Sequence, residues 1–393
     1  MQERRSTPRE VLAAIPNERF VPRAARKVLK AQAGERPRQV EKLVEILGDI
    51  GRQVLDVKPY ESNAFKNVTL LVSEVDVDAL VARHFGADYP DGTTDPTRRI
   101  THVIHQGFSP PGFGHSGTAL PMVQERVMSL MPPEIYQLQK GQPAPEARVI
   151  VTTLPTATGN RVTTEFVEAL EKEGLMPLAR EFASVTVDYT KDAPENHEVV
   201  FEGVSQGTVT ADGAYRSLPD DRKKNIRLLL YAPVANHAES EDREADERQL
   251  ILGYFSEMGE SIADGSFLRA VAEHLDLNRE LLKVLKANDL NPHMSLQDLG
   301  LKYRAMIAII AALKKGVTFS KDAPAHLVRP RRDRLIRYSK EVEDWAEKKL
   351  EEGSRLLMRR SGKATEVFVE GRHMSDGIRP IRWVGIVDFA QNR

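Results

Sequence analysis

Apolar and polar positions alternate along the chain in two rhythms, and their interleaving predicts strands and helices in turn. Arg148 to Thr153 is a short β-branched run that predicts a buried strand, ended at Leu154-Pro155. A small, turn-prone stretch follows at Thr156 to Asn160. Val162, Phe166, Val167, Leu170 and Leu175 then recur at helical spacing, with Glu165, Glu168, Glu171 and Lys172 on the other side and Gly174 as the stop. A second extended run, Ala183 to Tyr189, predicts a strand, so the stretch 147–189 reads as a right-handed strand–loop–helix–strand crossover.

The same reading predicts strands at Val68–Val72, Arg99–Phe108, His197–Thr210 and Asn225–Val234, the last apolar throughout and so central. Thr7-Pro8-Arg9-Glu10 has the capping-box pattern, and further helices are expected over 23–30 and 39–57. From Leu250 the character turns helical, ending in a long charged helix over Leu335–Met358. Strands at Thr365–Val369 and Ile378–Phe389, joined through Asp376-Gly377, close the chain. The predicted fold class is α/β: a mixed, largely parallel sheet with flanking helices, a helical C-terminal section and a terminal β-hairpin. The expected organisation is a helical N-terminal arm over 1–58, an α/β core over 59–235, a helical region over 236–362 and the hairpin over 363–393.

With 393 residues, 41% of them hydrophobic, the chain can bury a sizeable core. Its net charge of −1 gives no global attraction to nucleic acid or anionic lipid, so any such contact must be local. Cysteine is absent, which excludes disulfides, thiolate nucleophiles and cysteine metal sites. The most apolar stretch, Ala305 to Leu313, is about half the ~20 residues a membrane span needs, so a cytoplasmic protein without membrane partners is expected. Residues 1–30 hold eight Lys or Arg against three Glu, which suits a solvated arm or docking onto an acidic partner.

Two glycine-bearing loops stand where a strand gives way to a helix, the position in which backbone N–H groups receive anions. One carries Gly112, Gly114, Ser116 and Gly117; the other carries Thr156, Thr158, Gly159 and Asn160. Together they predict a pocket for a nucleotide or another phosphorylated small molecule, with transferase chemistry as one use. His115 is the acid–base candidate, since its reference pKa lies near neutrality. Asp76 and Asp78 have the spacing to share a Mg or Mn ion, although Ser73 with Asp76 also makes a helix cap. Arg329, Arg331, Arg332 and Arg334 form the densest basic cluster, suited to phosphate, nucleic acid or a subunit interface.

Gly114-His115-Ser116-Gly117 resembles the nucleophile turn of α/β-hydrolases, but Thr118 stands where that motif expects glycine, and no second serine elbow is read downstream. The stretch from Ala147 is similar in outline to the first βα unit of extended short-chain dehydrogenases and of two-lobed nucleotide-sugar glycosyltransferases. Only Gly159 of the three fingerprint glycines is present, and no family is assigned. Two alternatives belong to other classes. One is a self-assembling structural protein of a virus or phage particle, a homo-oligomer with exchanged terminal arms. The other is a nucleic-acid-binding protein using a helix-turn-helix-like stretch near 270–285 with the arginine cluster.

Overall fold

The computed structural model describes residues 6–21, 23–34, 37–85, 94–107, 115–130, 144–194, 197–233, 263, 266–290, 295–314, 320, 323–330, 340–352, 357–361 and 363–369. Its helices are α1 Pro8–Ala13, α2 Arg23–Gln32, α3 Pro37–Leu55, α4 Val77–Phe85, α5 His115–Leu130, α6 Thr164–Glu173, α7 Met176–Tyr189, α8 Gln206–Ser217, α9 Asp220–Lys223, α10 Ser266–Ala287, α11 Leu296–Lys314 and α12 Lys340–Glu351. The strands are β1 Lys58–Glu61, β2 Thr69–Asp76, β3 Thr94–His105, β4 Ala144–Thr152, β5 Glu198–Val204, β6 Ile226–Tyr231, β7 Ala325–Pro330, β8 Leu357–Ser361 and β9 Ala364–Val369.

Among the described residues these strands make one sheet in the order β1-β2-β4-β3-β5-β6-β7-β9-β8. From β4 through β9 every pairing is parallel, and the antiparallel strands β1, β2 and β8 close the two edges. The α/β class, the mixed and largely parallel sheet and the helical section after β6 all stand as read from the sequence. Because the inner strands are parallel, the carboxyl ends of β3, β4, β5, β6, β7 and β9 all lie along one edge of the sheet. Two apolar layers cover its faces: α3, α5 and α10 on one, and α6, α7, α8 and α11 on the other.

Several elements differ from the sequence expectation. Ala183 to Tyr189 is the second half of helix α7, not a strand. Its β-branched residues suggested a strand, but Leu178, Phe182, Val185 and Thr186 are buried at helical spacing against the sheet, and packing overrides propensity. The expected crossover therefore closes later, at β5. The run read as one strand over His197–Thr210 stops at Val204, and helix α8 begins two residues on. The helix-turn-helix-like stretch is part of the single helix α10. The long charged helix is shorter than expected, because Leu357–Ser361 pairs with β9 as a strand. The Asp376-Gly377 turn lies outside the described residues.

The N-terminal segment packs on its own chain. Ile15, Phe20 and Val21 join the core cluster with α3, and Arg52 donates to the carbonyls of Leu12 (3.2 Å) and Ile15 (3.0 Å). Among the described residues no helix is long and apolar enough to cross a membrane.

Candidate functional site

The middle strand of the sheet, β5, ends in Gly203-Val204-Ser205-Gln206-Gly207, the glycine–x–serine–x–glycine spacing of a nucleophile elbow. Each residue type has a local reason. Ser205 turns the chain from strand into helix with φ 50° and ψ −120°, a left-handed conformation rare outside glycine. A Cβ on Gly203 would lie 2.5 Å from the Gly207 carbonyl oxygen, and one on Gly207 would lie 2.1 Å from that of His105. Only hydrogen fits at either place, so strand, turn and helix close as tightly as the motif requires.

The turn presents Ser205, half-buried, at the carboxyl edge of the sheet and at the N-terminus of α8, where the helix dipole favours negative charge. Its N–H donates to the Tyr231 carbonyl of β6 at 2.9 Å, and its carbonyl accepts from Thr208 N at 3.0 Å. The chain leaving β3 runs alongside: a Cβ built on Gly107 would stand 3.7 Å from Ser205 Cβ and 3.0 Å from the Val204 oxygen. The backbone after β3 and the first N–H groups of α8 thus flank one point next to the serine. That arrangement suits a carbonyl oxygen that gains charge during acyl transfer.

A charged cluster lies beneath the turn. Glu202, fully buried on β5, meets the Arg126 guanidinium of α5 (Nε 2.6 Å from Oε1, Nη2 3.0 Å from Oε2) and His102 Nδ1 of β3. Burial would raise its carboxyl, but Arg126 and His102 outweigh burial and hold it at about 2. Arg126 Nη2 also donates to the Tyr231 hydroxyl at 3.2 Å. Glu125 next to it is pushed up to about 8 by burial, with Glu202 adding to the rise. His105 points to the other face, wedged against the rings of Phe182 and Phe201, and burial pushes it down to about 3. It is a core histidine.

The residues singled out from the sequence are not brought together here. Thr156, Thr158 and Asn160 are buried, and Leu285 and Leu71 crowd Gly159. The Asn160 side chain accepts from Leu71 N, and Lys302 of α11 covers the loop by donating to the Ala157 carbonyl. Gly112 and Gly114 lie outside the described residues; His115, Ser116 and Gly117 form the first turn of α5. Asp76 caps α4 by accepting from Ala79 N at 2.9 Å. Burial, with Asp76 and Glu146 nearby, pushes the Asp78 carboxyl up to about 6. Among the described residues no group of three or more His, Asp or Glu is placed to hold a metal. Arg329 is buried and donates to Glu366 of β9 at 2.9 Å, while Arg331, Arg332 and Arg334 lie outside the described residues.

No protein-family model and no curated protein sequence matches the chain. Solved structures similar to it include an esterase of Pyrococcus furiosus (11% identity over 86% of this chain and 90% of that one, TM-score 0.40). A thermophilic esterase of Thermogutta terrifontis is similar at 13% identity, over 84% and 96%, with TM-score 0.38. An epoxide hydrolase of Vigna radiata is similar at 11% identity, over 85% and 96%, with TM-score 0.39.

The functional expectations are corrected accordingly. A nucleotide or other phosphorylated ligand has no opening at the 156–160 loop, which is packed shut. Nucleic acid loses its helix-turn-helix support, since α10 runs unbroken through that stretch, and Arg329 is held inside the sheet by Glu366. The self-assembling structural protein loses its free N-terminal arm, since Ile15, Phe20 and Val21 pack in the chain's own core. Val and Thr on both sides give 197–210 the pattern of one strand and hide the turn within it; the five-residue glycine–serine spacing is its signal.

Proposed function

We propose that this protein is a serine hydrolase acting on carboxylic esters or related acyl compounds, with Ser205 as the nucleophile. The observation that carries the reading is the left-handed backbone of Ser205 inside its glycine-flanked turn at the end of the central strand. A serine hydroxyl in such a turn attacks a carbonyl carbon while a base takes its proton. The oxyanion formed is met by N–H groups beside the serine, that of Gln206 and that of Gly107. Collapse expels the alcohol and leaves an acyl-serine ester, which water then cleaves to regenerate the hydroxyl.

The base and its orienting acid are assigned from chain order. Parallel strands β7 and β9 end, at Pro330 and Val369, on the edge that bears Ser205. Asp333 follows β7 by three positions, and His373, the one histidine after His326, follows β9 by four. Serine, acid and histidine then occur in the order the elbow motif expects.

The test is covalent labelling with a fluorophosphonate probe together with hydrolysis of short p-nitrophenyl esters. The parent protein should gain one adduct on Ser205 and turn over the esters. Ser205→Ala and His373→Ala should each lose at least about a thousandfold in kcat. Full activity in Ser205→Ala, or labelling elsewhere, would remove the reading.

A further inference from the structure

Ser205 is tied to a second strained strand end. Its N–H donates to the carbonyl of Tyr231, the last residue of β6, and the next residue, Ala232, is also left-handed with φ 45°. Two adjacent parallel strands thus end in conformations that non-glycine residues hold only where their surroundings over-determine them. The side chains that brace these ends are those of the charged cluster. Arg126 reaches from α5 with two nitrogens on Glu202, three residues before Ser205, and its Nη2 also meets the hydroxyl of Tyr231. His102 ties Glu202 in turn to β3, the strand that leads into Gly107. One guanidinium therefore fastens both strand ends, and a histidine fastens the third.

A cluster of this kind is poor value as a source of stability, because desolvating two charges commonly costs more than a well-packed apolar replacement would. What it offers is a fixed geometry. A guanidinium holds carboxylate and hydroxyl in one plane, which a point charge or an apolar contact does not.

We infer that Arg126 is a positioning residue for Ser205: by bracing Glu202 of β5 against Tyr231 of β6 it holds the two strand ends in the alignment that aims the nucleophile. The inference rests on the serine-hydrolase reading. Arg126 itself touches neither substrate nor the reacting atoms. Losing the brace lets the Tyr231 carbonyl and the Ser205 N–H drift, and the hydroxyl leaves its attack line while the binding surface stays as it was.

The experiment compares the parent with Arg126→Gln, Arg126→Lys and Tyr231→Phe on a p-nitrophenyl ester, with active sites counted by the fluorophosphonate burst. Arg126→Gln should lower kcat per active site by about ten- to a hundredfold, with KM within about twofold of the parent, since misplacement costs the chemical step and not ground-state binding. Arg126→Lys should recover part of the loss. Tyr231→Phe, which removes only one hydroxyl, should lower kcat by about threefold or more at unchanged KM, and it decides the matter if Arg126→Gln does not fold. A kcat per active site within about twofold of the parent in the deciding variant, or a change confined to KM, would overturn the inference. Activity surviving Ser205→Ala would instead overturn the hydrolase reading itself, so the two failures are distinct.

Discussion

Ser205 occupies a backbone conformation that costs about 1–3 kcal/mol for a residue with a Cβ, and its glycine neighbours make that conformation reachable. Gly207 is the more demanding of the two, because the His105 carbonyl stands where its Cβ would be. Gly207→Ala should destabilise the fold by about 2 kcal/mol or more, read as a lower urea midpoint, and should abolish fluorophosphonate labelling of the folded fraction. His105 illustrates a residue whose burial has a pH signature. Burial lowers it from 6.5 to about 3, so the unfolded chain binds this proton more readily than the native state. Its contribution to stability is complete above pH 6.5 and is lost as pH falls from there toward 3. Among the described residues neither ring nitrogen has a hydrogen-bond partner, so His105→Leu should shift the acid-unfolding midpoint followed by circular dichroism to lower pH.

At the scale of elements, α11 seals the loop that the sequence made look like a ligand site. Lys302 sends its ammonium group into the 155–160 turn, donating to Ala157 O at 2.5 Å, and burial pushes its pKa down to about 8 while Asp298 opposes the fall. The folded state therefore disfavours this charge, and the parent should gain stability as pH rises from about 8 to 10.5. Lys302→Met keeps the volume without the charge. It should be more stable than the parent by about 1–3 kcal/mol at pH 7 in guanidinium unfolding, with the gap closing above pH 10. The second half of α7 belongs to this scale too. Ala-Ser-Val-Thr-Val carries strand propensity, yet its buried positions follow the helical period once the sheet supplies a surface to pack on.

At the scale of the molecule, residues 7–21 are part of the structure that supports the sheet. Phe20 is fully buried, and its ring occupies the space over Gly51 that a Cβ there would need. Phe20→Ala should cost about 3–5 kcal/mol, seen as a drop in Tm, which a free solvated arm would not produce. The parallel strands bring β5, β6, β7 and β9 to one edge, and this alone places residues far apart in sequence within reach of one another.

Hydrophobic periodicity by itself determined the α/β class, the strand at 148–152, the amphipathic helix closed by Gly174 and the helical character after Leu250, because each depends on neighbours a few residues away. It also contained the glycine–serine–glycine spacing of the elbow, hidden within a β-branched run that read as one strand. Tertiary structure alone decided that the 156–160 loop is core, that Arg329 is an internal ion-pair partner and that Ser205 is presented at the sheet's edge. Those outcomes depend on partners far along the chain, 145 positions away for Lys302 on Ala157, 89 for Leu71 on Asn160 and 37 for Glu366 on Arg329. Local pattern carries no information about such partners.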